Sequence, residues 1–190
     1  MRTVGIDLSL TSTGLAAAKD GVMGGVFRVK TTGKKTDVLA QRWQRLRHDI
    51  LENVAVWVED HMPDLVVIES PSYGSQHGSQ HDRSGLWWLV VEDMFAQGIP
   101  VATVTPQGRA KYGTGKGNAG KDEVLAAVVK RYMGVDVTGN DIADAVLLAA
   151  MGQRHLGTPV EVGLPAVNLL AMDGAAWPDR LHTIEGDVRI

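Results

Sequence analysis

Residues 3–22 read TVGIDLSLTSTGLAAAKDGV, and this stretch decides the fold. Residues 3–8 form a short β-rich run, a turn rich in serine and threonine follows, and LAAA resumes an apolar run. Asp20-Gly21 separates that run from a third one at residues 22–29, and Asp-Gly between such runs is a strong hairpin signal. The chain is therefore predicted to open with three antiparallel strands.

The rest of the chain alternates strands with helices. Apolar residues in steps of three and four predict a helix over residues 37–60, and continuous apolar runs predict buried strands at 65–68 and 99–104. Further helices are predicted over residues 86–97, 121–133 and 141–151. The predicted order is β-β-β-α-β-α-β-α-α, which describes an α/β fold with helices on the faces of a mixed sheet.

Two connections are predicted to be loops, and the C-terminal end has no clear pattern. Residues 70–85 contain the tandem repeat GSQH-GSQH, and residues 105–120 are rich in glycine and lysine, so both are expected to be flexible. Prolines interrupt the chain after residue 155. We expect one domain over residues 1–153 and an accessory C-terminal tail over residues 154–190.

Composition narrows the possible classes of protein. The 190 residues are 44% hydrophobic and 22% charged, which is typical of one globular domain, and no apolar run reaches the roughly 18 residues of a membrane span. The first residues lack the apolar stretch of a secretory signal, so a cytoplasmic location is expected. The absence of cysteine excludes disulfides, thiolate catalysis and cysteine zinc sites.

The charges are segregated along the chain, although the net charge of -3 argues against a protein that coats DNA by bulk charge. Residues 28–48 carry seven lysines and arginines against one acid, and residues 105–131 carry six against two. Residues 155–190 carry two arginines against five acids. The two basic segments are candidates for phosphate contacts, and an ordinary solvated surface explains either one equally well.

Two acidic residues occupy strand positions where a charge needs an explanation. Asp7 lies among apolar residues, where a carboxylate is costly unless it is paired or binds a cation. Glu69 directly follows the run LVVI, at the end of a strand where ligands of α/β proteins bind. Each also has a simpler explanation, because Asp7 suits a cap of the following turn and strands often end at a charge.

A second pair of acids opens the last predicted helix. Asp141 and Asp144 are three residues apart, so they share one helix face, and acids that complement the helix dipole explain the pair by itself. All four acids together are the oxygen ligands that two divalent cations such as Mg²⁺ need. Two such ions about 4 Å apart can activate a water and stabilise the leaving oxygen in phosphodiester cleavage.

Four motifs carry a resemblance to a known family, namely GIDLSLTSTGLA, VVIESP, GNAGKDEV and NDIADAVLLA. Together they resemble the RuvC Holliday junction resolvases of the RNase H-like superfamily, including phage-encoded versions, from residue 3 to about residue 151. The resemblance implies a five-stranded sheet with three antiparallel and two parallel strands, a homodimer, and four-way branched DNA as substrate. The sequence departs from the family at Leu8-Ser9, where members commonly have Pro-Gly, and in the tail.

The resemblance also implies roles for particular residues. Asp7, Glu69, Asp141 and Asp144 match the family's catalytic carboxylates, which bind two Mg²⁺ ions, with Mn²⁺ able to substitute. Lys121 matches a basic residue that supports catalysis near the scissile phosphate. Arg109 or Lys111 matches a second such residue, and the spacing leaves both open. The implied activity is that of a magnesium-dependent crossover junction endodeoxyribonuclease in DNA recombination and repair.

Further residues are predicted to contact DNA or a second copy of the chain. Lys116 joins Arg109, Lys111 and Lys121 as a candidate for phosphate contacts. Tyr73 is the only aromatic residue of the 70–85 segment, and an exposed ring can stack on an unpaired base. The helix predicted from residue 86 carries Trp87-Trp88, which indicates a dimer interface or, equally, a place in the core.

Other functions explain parts of the sequence less well. The opening GIDxSxTxxG resembles that of actin-like sugar kinases, but those enzymes need a duplicated fold. Residues 115–122 come within one residue of a P-loop, and the mismatch places Asp122 where a hydroxyl should hold magnesium. His77 and His81 lie four residues apart, as zinc ligands can, but within a polar glycine-rich repeat they are predicted to make plain polar contacts. A broader flap or fork nuclease and a catalytically silent DNA-binding module on the same fold remain as alternatives.

Overall fold

The computed structural model describes residues 1–71 and 79–178, and its centre is a mixed sheet with the strand order β3-β2-β1-β4-β5. The strands are β1 (Arg2–Asp7), β2 (Ser12–Lys19), β3 (Val22–Lys30), β4 (Leu65–Glu69) and β5 (Val101–Val104). β2 pairs antiparallel with β1 and β3, while β4 pairs parallel with β1 and β5. The predicted opening meander and the mixed five-stranded sheet are confirmed.

Helices cover both faces of this sheet. They are α1 (Leu39–Gln44), a π-helical segment (Arg45–Leu51), α2 (Glu52–His61), α3 (Gln80–Ala96), α4 (Pro106–Thr114), α5 (Lys121–Arg131), α6 (Asn140–His155) and α7 (Ala166–Leu169). The first three follow one another without interruption and form the helix predicted over residues 37–60. Within the described residues, none of the helices has the length and apolar character needed to cross a bilayer.

The two faces of the sheet carry separate cores because side chains alternate along a strand. Val4 and Ile6 of β1 belong to the core beneath α2 and α3. Leu65 and Val67 of β4 belong to the core on the opposite face, which contains most of α6 and parts of α4 and α5. A side chain at position 7 or 69 therefore projects on the α6 face of the sheet.

Two glycines allow α6 to lie directly on the strands. A Cβ atom at Gly5 would overlap the backbone of Ala145 and Ala149, and one at Gly14 would overlap the backbone of Asp141. A larger residue at either strand position would push the helix away, since backbone atoms cannot yield as a flexible side chain can. The glycines thus bring the start of α6 against the ends of β1 and β2.

Both predicted loops contain helix, so these two predictions were wrong in extent. α3 begins at Gln80 rather than at residue 86. α4 occupies most of the segment of residues 105–120 that was predicted to be a loop. Thr105 caps this helix by accepting a hydrogen bond from the Gly108 N–H at 3.0 Å, and Pro106 lies at its first position. The glycines of α4 hid it from periodicity, yet Gly113 has a packing role, because a Cβ there would meet Leu147.

The segment after α6 packs against the core formed by α4, α5 and α6. Glu161 is buried and accepts hydrogen bonds from the hydroxyls of Tyr112 and Tyr132, the former at 2.8 Å. The Asn168 amide donates to the Tyr112 carbonyl at 2.8 Å, and the Trp177 ring stacks on His155. Residues 156–178 therefore brace α4, α5 and α6, while the domain boundary at residue 153 stays a prediction.

Candidate active site

Asp7 and Glu69 meet at the carboxyl ends of β1 and β4. The parallel register pairs Ile6 with Ile68, so the next residue on each strand is one of the two acids. Both lie on the face covered by α6, and both line the same cavity of about 390 Å³. The Trp87 indole N–H donates to the Glu69 carbonyl at 3.0 Å and so holds the end of β4. The prediction that the two acids stand on adjacent strands is confirmed.

Helix α6 brings Asp144 to the same cavity. The helix lies against Gly5 of β1 at Ala145. The residue before it, Asp144, therefore lies near the end of β1 and lines the same cavity as Asp7. The residue is only 7% exposed. Because a buried carboxylate is costly without a counter-charge, the cavity needs a cation close to this side chain.

Arg109 of α4 supplies that positive charge. Its Nε donates to the Glu69 carboxylate at 2.5 Å, and its Nη1 donates to the Asp144 carboxylate. The guanidinium thus lies between two of the acids, and it is only 12% exposed. Lys121, the first residue of α5, lines the same cavity and remains exposed.

Negative charge is in excess where the strands end. Burial, together with the neighbouring carboxylates of Glu69 and Asp141, raises the pKa of Asp7 to about 7, although the positive charges of Arg109 and Lys121 act against this rise. Thr13, rather than Asp7, makes the hydrogen bonds of the following turn, to the Ser9 N–H at 3.1 Å and the Ser9 carbonyl at 2.8 Å. The explanation of Asp7 as a turn cap is therefore not supported, and the charge calls for a cation.

Asp141 has a different environment from Asp144, although both open the same helix. Arg28 of β3 donates to its two oxygens from Nε at 2.5 Å and from Nη2 at 2.6 Å, and the Ser12 hydroxyl donates at 2.5 Å. Burial works against ionisation here, but these hydrogen bonds hold the pKa of Asp141 below its ordinary value. Asp141 is therefore a paired carboxylate at the margin of the cavity.

Comparison with known proteins decides the family. The model of the family described as crossover junction endodeoxyribonuclease RuvC matches residues 3–151, which is most of the chain. The chain belongs to the RuvC family.

Individual RuvC proteins resemble the chain over much of its length. The crossover junction endodeoxyribonuclease RuvC of Corynebacterium diphtheriae is 31% identical over 149 residues, covering 77% of this chain and 90% of that protein. The Streptomyces coelicolor protein of the same name is 30% identical and covers 98% of both chains. The structure of Thermus thermophilus RuvC in complex with Holliday junction substrate is similar to this chain with a TM-score of 0.65 at 21% identity, covering 83% of this chain and 97% of that chain.

The predicted site residues differ in where they lie. The structure brings Asp7, Glu69, Asp144 and Lys121 together, with Asp141 one turn away from Asp144. Of the two basic candidates left open, Arg109 contacts the carboxylates, whereas Lys111 does not line the cavity. Lys116 also points elsewhere and pairs with Glu123 at 2.9 Å. Tyr73 and His77 fall outside the described residues, so the stacking role of Tyr73 stays a prediction.

Sequence reasoning missed the partner of Asp141. Arg28 was assigned to a basic segment that could touch phosphate, but its guanidinium is committed to a carboxylate 113 residues away. Nothing in the local sequence of a β-strand announces such a pairing. The one sequence feature connected with this pairing is that Arg28 is a basic residue between apolar neighbours on a predicted strand.

The donor set at the cavity is suited to a hard divalent cation, because carboxylate oxygens are the ligands that Mg²⁺ takes in proteins. Within the described residues, no three carboxylate or imidazole groups are placed to hold an ion together. Arg109 instead forms ion pairs with Glu69 and Asp144. The Arg109 guanidinium thus compensates Glu69 and Asp144, while the raised pKa of Asp7 indicates that negative charge is left over for a further cation.

Proposed function

We propose that the chain is a metal-dependent endonuclease that resolves Holliday junctions by hydrolysing phosphodiester bonds in DNA recombination and repair. The observation that carries the proposal is the convergence of Asp7, Glu69 and Asp144 in one cavity with Arg109 and Lys121. The family is one of metal-dependent nucleases. The names of the relatives and the junction complex of the Thermus thermophilus protein support branched DNA as the substrate.

The proposed metal ligands are the carboxylates of Asp7, Glu69, Asp141 and Asp144. Two Mg²⁺ ions, which Mn²⁺ can replace, would supply an activated water and a stabilised leaving oxygen. Asp144 is buried and Asp7 is half-buried, so both carboxylates gain from a cation, because few water molecules compensate their charge. To bind an ion directly, Asp141 would have to release the guanidinium of Arg28. Otherwise Asp141 would act on the ion only through its negative charge.

The two basic residues have separate proposed roles. Arg109 balances the charges of Glu69 and Asp144, and it would be available to contact the phosphate where these carboxylates hold metal. Lys121 has its ammonium exposed at the mouth of the cavity, where it attracts and orients the phosphate that is cut. Both support a developing negative charge without themselves transferring a proton.

The proposed assembly is a homodimer, since two symmetric cuts are needed and one chain carries one set of carboxylates. On α3, Trp88 is 64% exposed, and Phe95, seven residues later on the same face, is half-exposed. Trp87 instead faces the site, so only one of the two tryptophans is available for an interface. Sedimentation that shows a monomer both alone and on junction DNA would rule out this assembly.

A cleavage assay on four-way, fork and linear duplex DNA, with Mg²⁺ and with chelator, tests the activity. We expect cuts in the four-way junction only when the ion is present. Equal cutting of forks and flaps would favour the broader nuclease. An intact junction under all conditions would favour the silent DNA-binding module and overturn the proposal.

A further inference from the structure

A second cavity, of about 680 Å³, lies directly beside the one that holds the carboxylates. The two cavities share Ser9, Leu10 and Arg83 in their walls, so they are continuous. The wall of the second cavity comes from four places, namely the turn after β1, the segment that leads into α1, the helix from α1 into the π-helical segment, and the start of α3. We call this second cavity the basic cleft.

Five basic side chains line the basic cleft, and two of them are fixed by ion pairs. Arg42 donates from Nε to Asp82 at 3.0 Å, and Arg45 lies 3.2 Å from the Asp37 carboxylate. Asp82 and Arg45 are largely buried. These two pairs cancel in charge and tie the start of α3 and the segment before α1 to the same helix.

Three cations of the basic cleft are left over after this pairing. Lys34, Lys35 and Arg83 are exposed, and none of them makes an ion pair with another residue in the part of the chain that the structure describes. Gly33, directly before the two lysines, lets the chain pass against the Arg45 guanidinium, because a Cβ there would overlap it. The cleft therefore has a wall with a net charge of +3, from five basic groups against two acids.

The arrangement of these positive charges indicates what kind of ligand the basic cleft binds. Exposed lysines on a broad wall do not enclose a single small anion, but they suit a repeating line of phosphates, which a nucleic acid strand presents every 3.4 Å or so along its axis. Resting on the function proposed above, we infer that the basic cleft binds the sugar-phosphate backbone of the DNA strand just beyond the phosphate that is cut. The continuity of the two cavities places the same strand in both.

These contacts position the substrate and carry no sequence information, because they reach phosphates and not bases. They also give a role to part of the basic segment of residues 28–48. Of the four basic residues of this segment that line the cleft, Arg42 and Arg45 are held in ion pairs, and Lys34 and Lys35 are free to contact DNA. Each phosphate contact steepens the salt dependence of binding by about 0.9 in the slope of log K against log salt.

The test compares two double variants in binding to four-way junction DNA in Ca²⁺. Lys34→Ala with Lys35→Ala should lower the affinity and flatten the salt slope by up to about 2. Lys19→Ala with Lys130→Ala is the matched control, since both are exposed and lie at the ends of β2 and α5 far from the cavities. The control should keep the parent's slope.

Junctions with one neutral methylphosphonate locate the contact. The parent should lose affinity when the substitution lies within a few nucleotides of the cut, and the Lys34/Lys35 variant should lose nothing further there. Equal losses in parent and variant at every position would overturn the inference, and so would an unchanged salt slope. If the parent itself does not cut the junction, the proposed function fails. If the parent cuts and the slope is unchanged, only the basic cleft fails.

Discussion

Asp141 and Asp144 are the same residue type on the same helix, one turn apart, and the fold gives them different partners. Asp144 lines the same cavity as Asp7 and shares Arg109 with Glu69. Asp141 is held at the margin by a bidentate pair with Arg28 and by Ser12. The difference shows that a helix face places an acid near a site, while the residues that reach it from other strands and helices decide how available its oxygens are.

The largest effect is expected inside the cavity. Replacing Asp144 by Asn, or Glu69 by Gln, keeps the size but removes a ligand charge, so cleavage of junction DNA should fall by about 10³-fold, equivalent to roughly 4 kcal/mol. Single-turnover rates in Mg²⁺ measure this. Asp136→Asn, at an exposed position before α6, is the control and should cut at the parent's rate. Similar rates for all three variants would remove the distinction between cavity and surface acids.

A smaller effect is expected from the lysine at the mouth of the cavity. Lys121→Ala should slow cleavage by about 10- to 100-fold and flatten the salt slope of binding by up to about one phosphate contact. Lys116, from the same GKGNAGK stretch, is paired with Glu123 away from the cavity and supplies the control. If Lys116→Ala had the larger effect, the DNA path drawn from the structure would be wrong.

The comparison of the two aspartates is tested most sharply by releasing Asp141. Arg28→Ala removes the guanidinium from both carboxylate oxygens and leaves the Ser12 hydrogen bond in place, so the Mg²⁺ concentration for half-maximal cleavage should fall by up to about tenfold. Arg28→Lys keeps the charge without the fork and should have an intermediate requirement. An unchanged Mg²⁺ requirement in both variants would mean that Asp141 neither binds the ions nor affects their binding.

The smallest effect concerns stability without metal. The raised pKa of Asp7, from 3.8 to about 7, means that folding disfavours its charged form. The cost grows as pH rises from about 4 to 7 and is constant above that. In chelator at pH 8, Asp7→Asn should therefore stabilise the fold by at least about 1 kcal/mol, or roughly 2–4 °C in Tm. The gain should vanish near pH 4, and thermal melts at both pH values measure it.

The positions of Asp7 and Glu69 in the fold could be predicted from the sequence because they depend on short-range signals. Asp-Gly marked the hairpin, and the ends of β1 and β4 placed Asp7 and Glu69 side by side through a parallel register. The choice between Arg109 and Lys111 needed the rotation of a helix that glycines concealed. The pairing of Arg28 with Asp141 depends on the packing of α6 against the sheet through Gly14, which no local pattern records.

The central claim is that the carboxylates serve the chemistry through metal and are not structural supports. The direct test is to measure, on one four-way junction, the affinity of Asp7→Asn in Ca²⁺ and its cleavage rate in Mg²⁺. The account predicts that the junction is bound as tightly as by the parent or more tightly, because a charge that repels phosphate is gone, while cleavage falls by orders of magnitude. Loss of binding and cleavage in equal measure would contradict it.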